Sequence, residues 1–516
     1  MNVSSPTPVC SRSPHTSRLI MNRGCSAILG SVILIITLAA CISPVKPVPT
    51  QQSQETPPPP TETAEAAKPI EPAPSEAPPA IPNAPALPIP PIGLGQPTAP
   101  QEKEGMPMVE AKAVLVTAQR ESYRVESTFA ATKTDTPLME TPVSVQVVPK
   151  QILQDQRATR LQEALENVSG IRSHTTDTGG TVFKIRGFDS FNLFRNALSI
   201  PSGQSIPGTF DTANLERVEV LKGPAAVLFG RVDPGGVINM VTKRPLRESY
   251  YKVEQEFGSY DHYRTVWDAT GPVTQSGSVA YRVSGAFQDY GSFRDFQGGQ
   301  RTFIAPVLSF KPGANTDLVV DFQYMKNKAQ SDTGFPALGN RPAPIPLSRS
   351  FQESNDPRDT TENYNLAYEL KHRLTDNWSI TNRFLYSHAL MFKPNVSGTA
   401  LDDATGILDR TVTFQRLNGN AYSTNLDVNG TFDLLGAKHN LLVGLDHFRS
   451  YYNYHFSNAA GNFPIDIFNP QYGTIPTSAY DDAVAGTGAR FLSSVQSKQT
   501  GLYVQDQITV FDKLHV

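Results

Sequence analysis

Cysteine is nearly absent: the 516-residue chain has three, Cys10, Cys25 and Cys41, and none after Cys41. That excludes a disulfide framework or a cysteine metal site from the folded remainder. Long hydrophobic runs are also missing. The longest, "AILGSVILIITLAAC" from Ala27 to Cys41, falls short of the ~20 residues a spanning helix needs. Nor does charge of one sign dominate. With 45 basic and 48 acidic residues the formal net charge is −3, which provides no footprint for a nucleic-acid partner. Catalytic signatures are lacking as well. There is no Gly-x-Ser-x-Gly or His-Glu-x-x-His pattern, and the nine histidines, His174, His372 and His388 among them, show no paired ligand spacing. No catalytic residue and no protein metal ligand is assigned, and the chain is read as something other than an enzyme.

What is present begins with Arg18 and Arg23 ahead of the Ala27–Cys41 run, the layout of a secretory signal over residues 1–41. A start at Met21 would give that signal an ordinary length. Leu38-Ala39-Ala40-Cys41 resembles a lipobox, which would make Cys41 a lipidation site; a small-residue cleavage site beside a cysteine is the other reading. Nineteen of the 43 prolines crowd between Pro44 and Pro100. Residues 42–105 therefore read as a disordered, extended tether. Within residues 106–120, "AVLVTAQR" from Ala113 to Arg120 is either an edge-capable strand that adds to a partner's sheet or the first strand of the next domain.

Residues 121–246 mix strand and helix signals. "TPVSVQVVPKQIL" alternates like a half-buried strand, and Leu161, Ala164, Leu165 and Val168 share a helical face that ends at Gly170. "FKIRGF", "LERVEVL" and "GGVINMVTKRP" add strands, giving a small α/β domain. Its densest stretch runs from Glu216 to Pro245 around a loop carrying Gly223, Pro224, Gly230, Pro234, Gly235 and Gly236. A phosphate-binding loop is excluded there, because Gly223 and Gly230 are too far apart and are followed by Arg231-Val232 rather than Lys-Ser/Thr.

Residues 250–516 change texture to two-residue alternation, as in Tyr251, Val253 and Phe257 against Lys252, Glu254 and Glu256. About ten such strands can be counted. Short turns alternate with longer stretches near residues 289–300, 327–361, 389–419 and 452–497. Strands of about ten residues with all long connections at one end fit a transmembrane antiparallel β-barrel. On the pattern alone, a secreted β-sandwich array or adhesin is the alternative.

The run Leu215 to Pro224, with Phe229-Gly230, Pro234 to Gly236 and Thr242 to Pro245, resembles the plug signature of TonB-dependent siderophore receptors. Thr141 to Pro149, the Leu-x-Glu-Ala-Leu helix and Ile185 to Phe188 resemble it too. Gly501 to Ile508 is similar to a strand of the ferric-hydroxamate (ferrichrome) branch. The resemblance implies a mainly β fold: an α/β plug inside a barrel of about 22 strands, of which this chain would carry about ten. A ten-stranded barrel would be too narrow for such a plug, so a truncated barrel is expected. The resemblance also implies that Ala113, Val114, Leu115, Val116, Thr117 and Ala118 form a TonB box. Expected partners are the TonB energy-coupling protein with its inner-membrane ExbB/ExbD complex, outer-membrane lipid and a ferric siderophore imported at the cell outer membrane. The siderophore carries its own iron, so no cofactor is expected. Plug-apex residues Phe191, Phe194, Arg195, Gln204 and Phe210 are the implied siderophore contacts, and Arg186 and Lys222 the implied plug–barrel anchors. Asn196 follows Arg195 where an acidic residue is common, a departure from the signature. Haem, cobalamin, or a signalling or adhesive role are the alternatives.

Overall fold

The computed structural model describes residues 123–516, apart from 135, 142, 176–180, 202–209, 224–225, 231, 331, 333, 512–513 and 516. The expected signal, Cys41, the tether and the TonB box at Ala113–Ala118 lie outside the described residues, as does Gln204.

Alternating valines and leucines build the plug's central sheet. Leu215–Lys222 sits between Val145–Pro149 and Gly236–Thr242, and the latter pairs in parallel with the short strand Leu193–Arg195, followed by Leu198–Ser199. A second sheet, Ile171–Thr175, Thr181–Ile185 and Phe188–Ser190, covers the other side of the core. The helix Leu161–Leu165 buries Leu161, Ala164 and Leu165, the face its spacing predicts. The apolar run read as one strand through Leu153 instead breaks at Pro149, and Lys150–Asp155 is a helix. Proline's fixed φ suits a helix entrance and its missing N–H ends the ladder. Gly236 has φ +140°, and a Cβ there would lie 2.1 Å from the Leu221 carbonyl oxygen. Only glycine lets these two strands meet so closely.

Ten long antiparallel strands follow: Tyr250–Gly258, His262–Pro272, Val279–Gly291, Gly298–Gly313, Thr316–Ala329, Asp359–Arg373, Trp378–Asp402, Ile407–Leu434, Ala437–Asn458 and Arg490–Val510. Each pairs with the next in chain order. Among the described residues, the first and tenth do not pair with each other. The two-residue period sorts the faces. Val253, Leu308, Val443 and Leu502 point away from the plug and are exposed, while Arg264, Asp268, Arg282, Asp321 and Asp427 point toward it and are buried. Apolar-out and polar-in is the inverse of a soluble barrel and the pattern of one set in lipid.

One expected long connection is not a loop. Residues 389–419 continue the seventh and eighth strands, which stay paired from Trp378↔Gly430 out to Asp402↔Ile407. Strand pairing persists there and Met391, Val396, Val412, Phe414 and Leu417 are all buried, although the in–out alternation shifts by one residue near 394–396 and 412–415. Polar and glycine interruptions hide it in a single strand, and cross-strand hydrogen bonds decide the matter. The irregular connections at this end are 330–358 and 459–489, the second containing the helix Ser478–Ala485, closed by Gly486 at φ +72°.

Candidate functional site

The plug is held by charge. Asp211 receives both guanidinium nitrogens of Arg264, at 3.0 and 2.7 Å, and lies 3.5 Å from Arg301. Lys243 and Arg282 share Asp268, at 2.9 and 2.7 Å. Arg195 donates to Asp321 at 2.5 Å. Arg244 and Arg383 converge on Glu369, and Arg157 reaches Glu254 and Glu256. In each group a plug side chain meets one on the wall, and most of these groups are almost fully buried. Bidentate, charge-assisted bonds of this kind fix orientation as well as position.

Above this belt, toward the long connections, an open cavity of about 750 Å³ separates the plug apex from the eighth, ninth and tenth strands. Phe191, Phe194 and Phe229 form its plug side, and Tyr452, Tyr454 and Phe491 its wall. Phe194 and Phe229 pack edge-to-face with centroids 4.8 Å apart. Asp233, on the glycine-rich loop, accepts the Phe191 amide at 3.1 Å and so ties that loop to the apex. The loop therefore faces two ways. Leu228 and Phe229 pack with Leu442 and Tyr503 of the barrel, while Phe229 and Asp233 border the cavity. Concave and lined by aromatic rings with polar side chains such as Asn425, Asp446 and Gln499 between them, the space has the character of a small-molecule site.

The two irregular connections cap this end. Arg410, fully buried, binds Glu353 at 2.9 Å and donates to the carbonyls of Phe463 and Phe351 at 2.9 and 3.0 Å. Tyr480 donates to Asp356, and Arg349 to the carbonyls of Ile467 and Phe468. Burial raises the Asp356 carboxyl above its ordinary range, against the Tyr480 hydrogen bond. This latch of charged groups was not legible in the sequence, because its members are far apart in the chain.

The expected site residues separate. Phe191 and Phe194 line the cavity. Arg195 does not: it is 5% exposed and spent on Asp321, so it anchors the plug. Phe210 packs against the plug core, and its carbonyl accepts the Leu161 amide. Lys222 donates to Gln146 and Ser169 within the plug, and Arg186 lies exposed in a turn at φ +50°. Neither meets a carboxylate of the ten strands among the described residues. Arg157, Arg195, Asp211, Lys243 and Arg244 hold the plug instead. Sequence reasoning gave Arg195 another role and missed the other four, because a lone charge in an α/β domain reads as surface until a wall covers it.

A plug domain enclosed by a polar-lined barrel wall is the architecture of the TonB-dependent receptors. Residues 137–237 match the family model described as TonB-dependent Receptor Plug Domain, and residues 307–516 match TonB dependent receptor-like, beta-barrel. The chain thus carries the plug and ten barrel strands of a TonB-dependent receptor, a protein of the Gram-negative outer membrane. It is 33% identical to a metal-pseudopaline receptor of Pseudomonas aeruginosa over 396 residues, 74% of this chain and 55% of that one. It is 28% identical to the ferrioxamine receptor of Yersinia enterocolitica over 410 residues, 76% and 56% of the two chains. The chain thus spans little more than half the length of these relatives. The pyoverdine outer membrane receptor of Pseudomonas aeruginosa, solved with pyoverdine bound, shares the fold with a TM-score of 0.68 at 23% identity, over 77% of this chain and 59% of that one.

Proposed function

We propose that the chain serves in the binding and TonB-coupled import of a metal chelate across the outer membrane, with the Phe191–Phe194–Phe229 cavity as the binding site. The cavity carries this reading: its aromatic walls suit the organic shell of a chelator that already satisfies its metal. Among the described residues no cluster of His, Cys, Asp and Glu could hold a metal ion, and such cargo needs none.

A ferric hydroxamate of the ferrichrome type is one member of the class. The resemblance to a metal-pseudopaline receptor widens the candidates to chelates of other chemistry. Ala113–Ala118 is the proposed coupling segment, pairing as an added strand with TonB, which ExbB/ExbD would energise from the inner membrane. Gln204 stays a proposed contact, Cys41 a proposed lipid attachment, and Arg186 with Lys222 proposed anchors toward wall outside the ten strands.

The test is binding and uptake of ferrioxamine B, ferrichrome and metal-pseudopaline by outer membranes carrying the receptor. Val116→Pro should leave binding intact and abolish uptake. If no chelate in the panel binds, the reading fails.

A further inference from the structure

Two cavities meet at one side chain. The outer cavity has a counterpart of about 810 Å³ toward the short turns, bordered by Lys150, Arg217, Lys243, Arg244, Lys371 and Arg383. Five of these six cations are paired, with Glu216, Glu219, Asp268 or Glu369. Lys133 borders both spaces. It sits at φ +54° on the hairpin joining Ser127–Thr128 to Thr136–Pro137.

Its surroundings are unusual for a cation. Lys133 is 5% exposed, and its ammonium has neither an ion pair nor a hydrogen bond among the described residues. It lies 3.8 Å from the centroid of the Tyr503 ring and 5.4 Å from that of Phe229. Of the two carboxylates whose charge reaches it, Asp427 is already engaged by the Tyr503 hydroxyl and by Arg383, and Asp446 forms no ion pair with it. A buried charge is ordinarily paired, and here aromatic faces stand in for the missing anion. Besides the packing of Phe129 and Ala131 against Phe229 and Tyr503, the hairpin is tied to the sheet and wall by polar contacts: Glu219 accepts the amides of Phe129 and Ala130, Gln505 donates to the Thr132 carbonyl, and Gln507 to the Thr134 hydroxyl. Such contacts can be exchanged for water or for a ligand.

We propose that Lys133 is a gate between the outer and inner cavities, and that its ammonium is an inner docking point for an anionic oxygen of the metal chelate leaving the outer cavity. The proposal rests on the import reading given above for its ligand, but not for the gate. A desolvated cation without a counter-ion gains more from an arriving anion than any paired cation of the inner cavity. Burial lowers its pKa to about 8 despite Asp427 and Asp446, which raise it. It remains a cation at neutral pH, free to exchange its aromatic partners.

Two measurements on the full-length receptor test this. In the first, binding and uptake of radiolabelled ferric ferrioxamine B are compared for wild type, Lys133→Met and Lys133→Arg. Uptake per bound chelate by Lys133→Met should fall about tenfold relative to wild type, and Lys133→Arg should recover most of it. Equal losses of binding and uptake would make Lys133 a mere contact of the outer cavity and overturn the gate, as would unchanged uptake. In the second, ion conductance is recorded in planar bilayers without ligand. Lys133→Ala should leak where wild type and Lys133→Arg stay closed; a Lys133→Ala receptor as tight as wild type overturns the proposal. Should wild type bind neither ferrioxamine B nor any other chelate of the panel, the ligand class fails, and the conductance result alone decides the gate.

Discussion

Inside the plug, Phe183, Ile185, Leu161 and Ile238 are fully buried against one another. At its border with the wall, Asp211, Arg264, Asp268 and Arg282 are nearly as buried, yet they are held by ion pairs and hydrogen bonds. Both regions exclude water, by different means. Burying hydrocarbon yields about 25 cal/mol per Å² and asks for no partner. Burying ions returns little net energy after desolvation, but it punishes the loss of one partner and fixes position. A domain that must stay folded while its seat in the barrel can be remade is served by this division: an apolar interior that tolerates no water, and a polar border that water can enter and satisfy.

Phe183→Ala should have the largest effect, about 4 kcal/mol, because it leaves a cavity in the plug core. The plug should unfold as a unit on heating the purified receptor, with the wall strands unchanged in circular dichroism. Asp211→Ala strands Arg264 and Arg301 and should cost about 3 kcal/mol. It should show in a different way, with the plug still folded but cleaved faster by added protease. If Asp211→Ala melts the plug as Phe183→Ala does, border and interior are one cooperative structure and the contrast fails. Tyr480→Phe leaves Asp356 with only the Glu353 amide as donor and should weaken the outer latch by about 1–2 kcal/mol. Proteolysis within 459–489 should then rise while the plug stays protected.

Lys133→Met sharpens the contrast with the opposite sign. The wild-type side chain is charged below about pH 8 in the folded state and below 10.5 when unfolded, so its burial destabilises by up to about 3 kcal/mol at neutral pH. Its two ring contacts return about 2. The variant should therefore be about 1 kcal/mol more stable at pH 7, and that advantage should shrink as pH rises from 8 to 10.5. Wild-type stability that does not rise over this window relative to Lys133→Met would contradict the assigned burial of the charge.

Some of the architecture was written locally. Two-residue alternation marks a half-buried strand wherever it occurs, so Tyr251-Val253-Phe257 and Tyr364-Leu366-Tyr368 could be placed without coordinates, and the helix face of Leu161, Ala164 and Leu165 likewise. Two phenylalanines of the cavity, Phe191 and Phe194, were within reach because the family resemblance puts the plug apex at them. Residues 389–419 were not. Their pairing is set by Pro394↔Phe414 and Ala389↔Gly419, contacts between strands rather than along one.

The same physics divides the rest. Chain-local properties, namely the period of hydrophobicity, the turns and the glycine that admits Leu221, determined that there would be a plug sheet and an up-and-down wall. Which charges would be buried, and against which, depended on enclosure. Arg195 became an anchor when Asp321 came within 2.5 Å of it, and Lys133 became an unpaired cation when Tyr503 and Arg383 took Asp427. Desolvation and ion pairing act over a few ångströms in space whatever the distance along the chain, so only the tertiary structure could decide them.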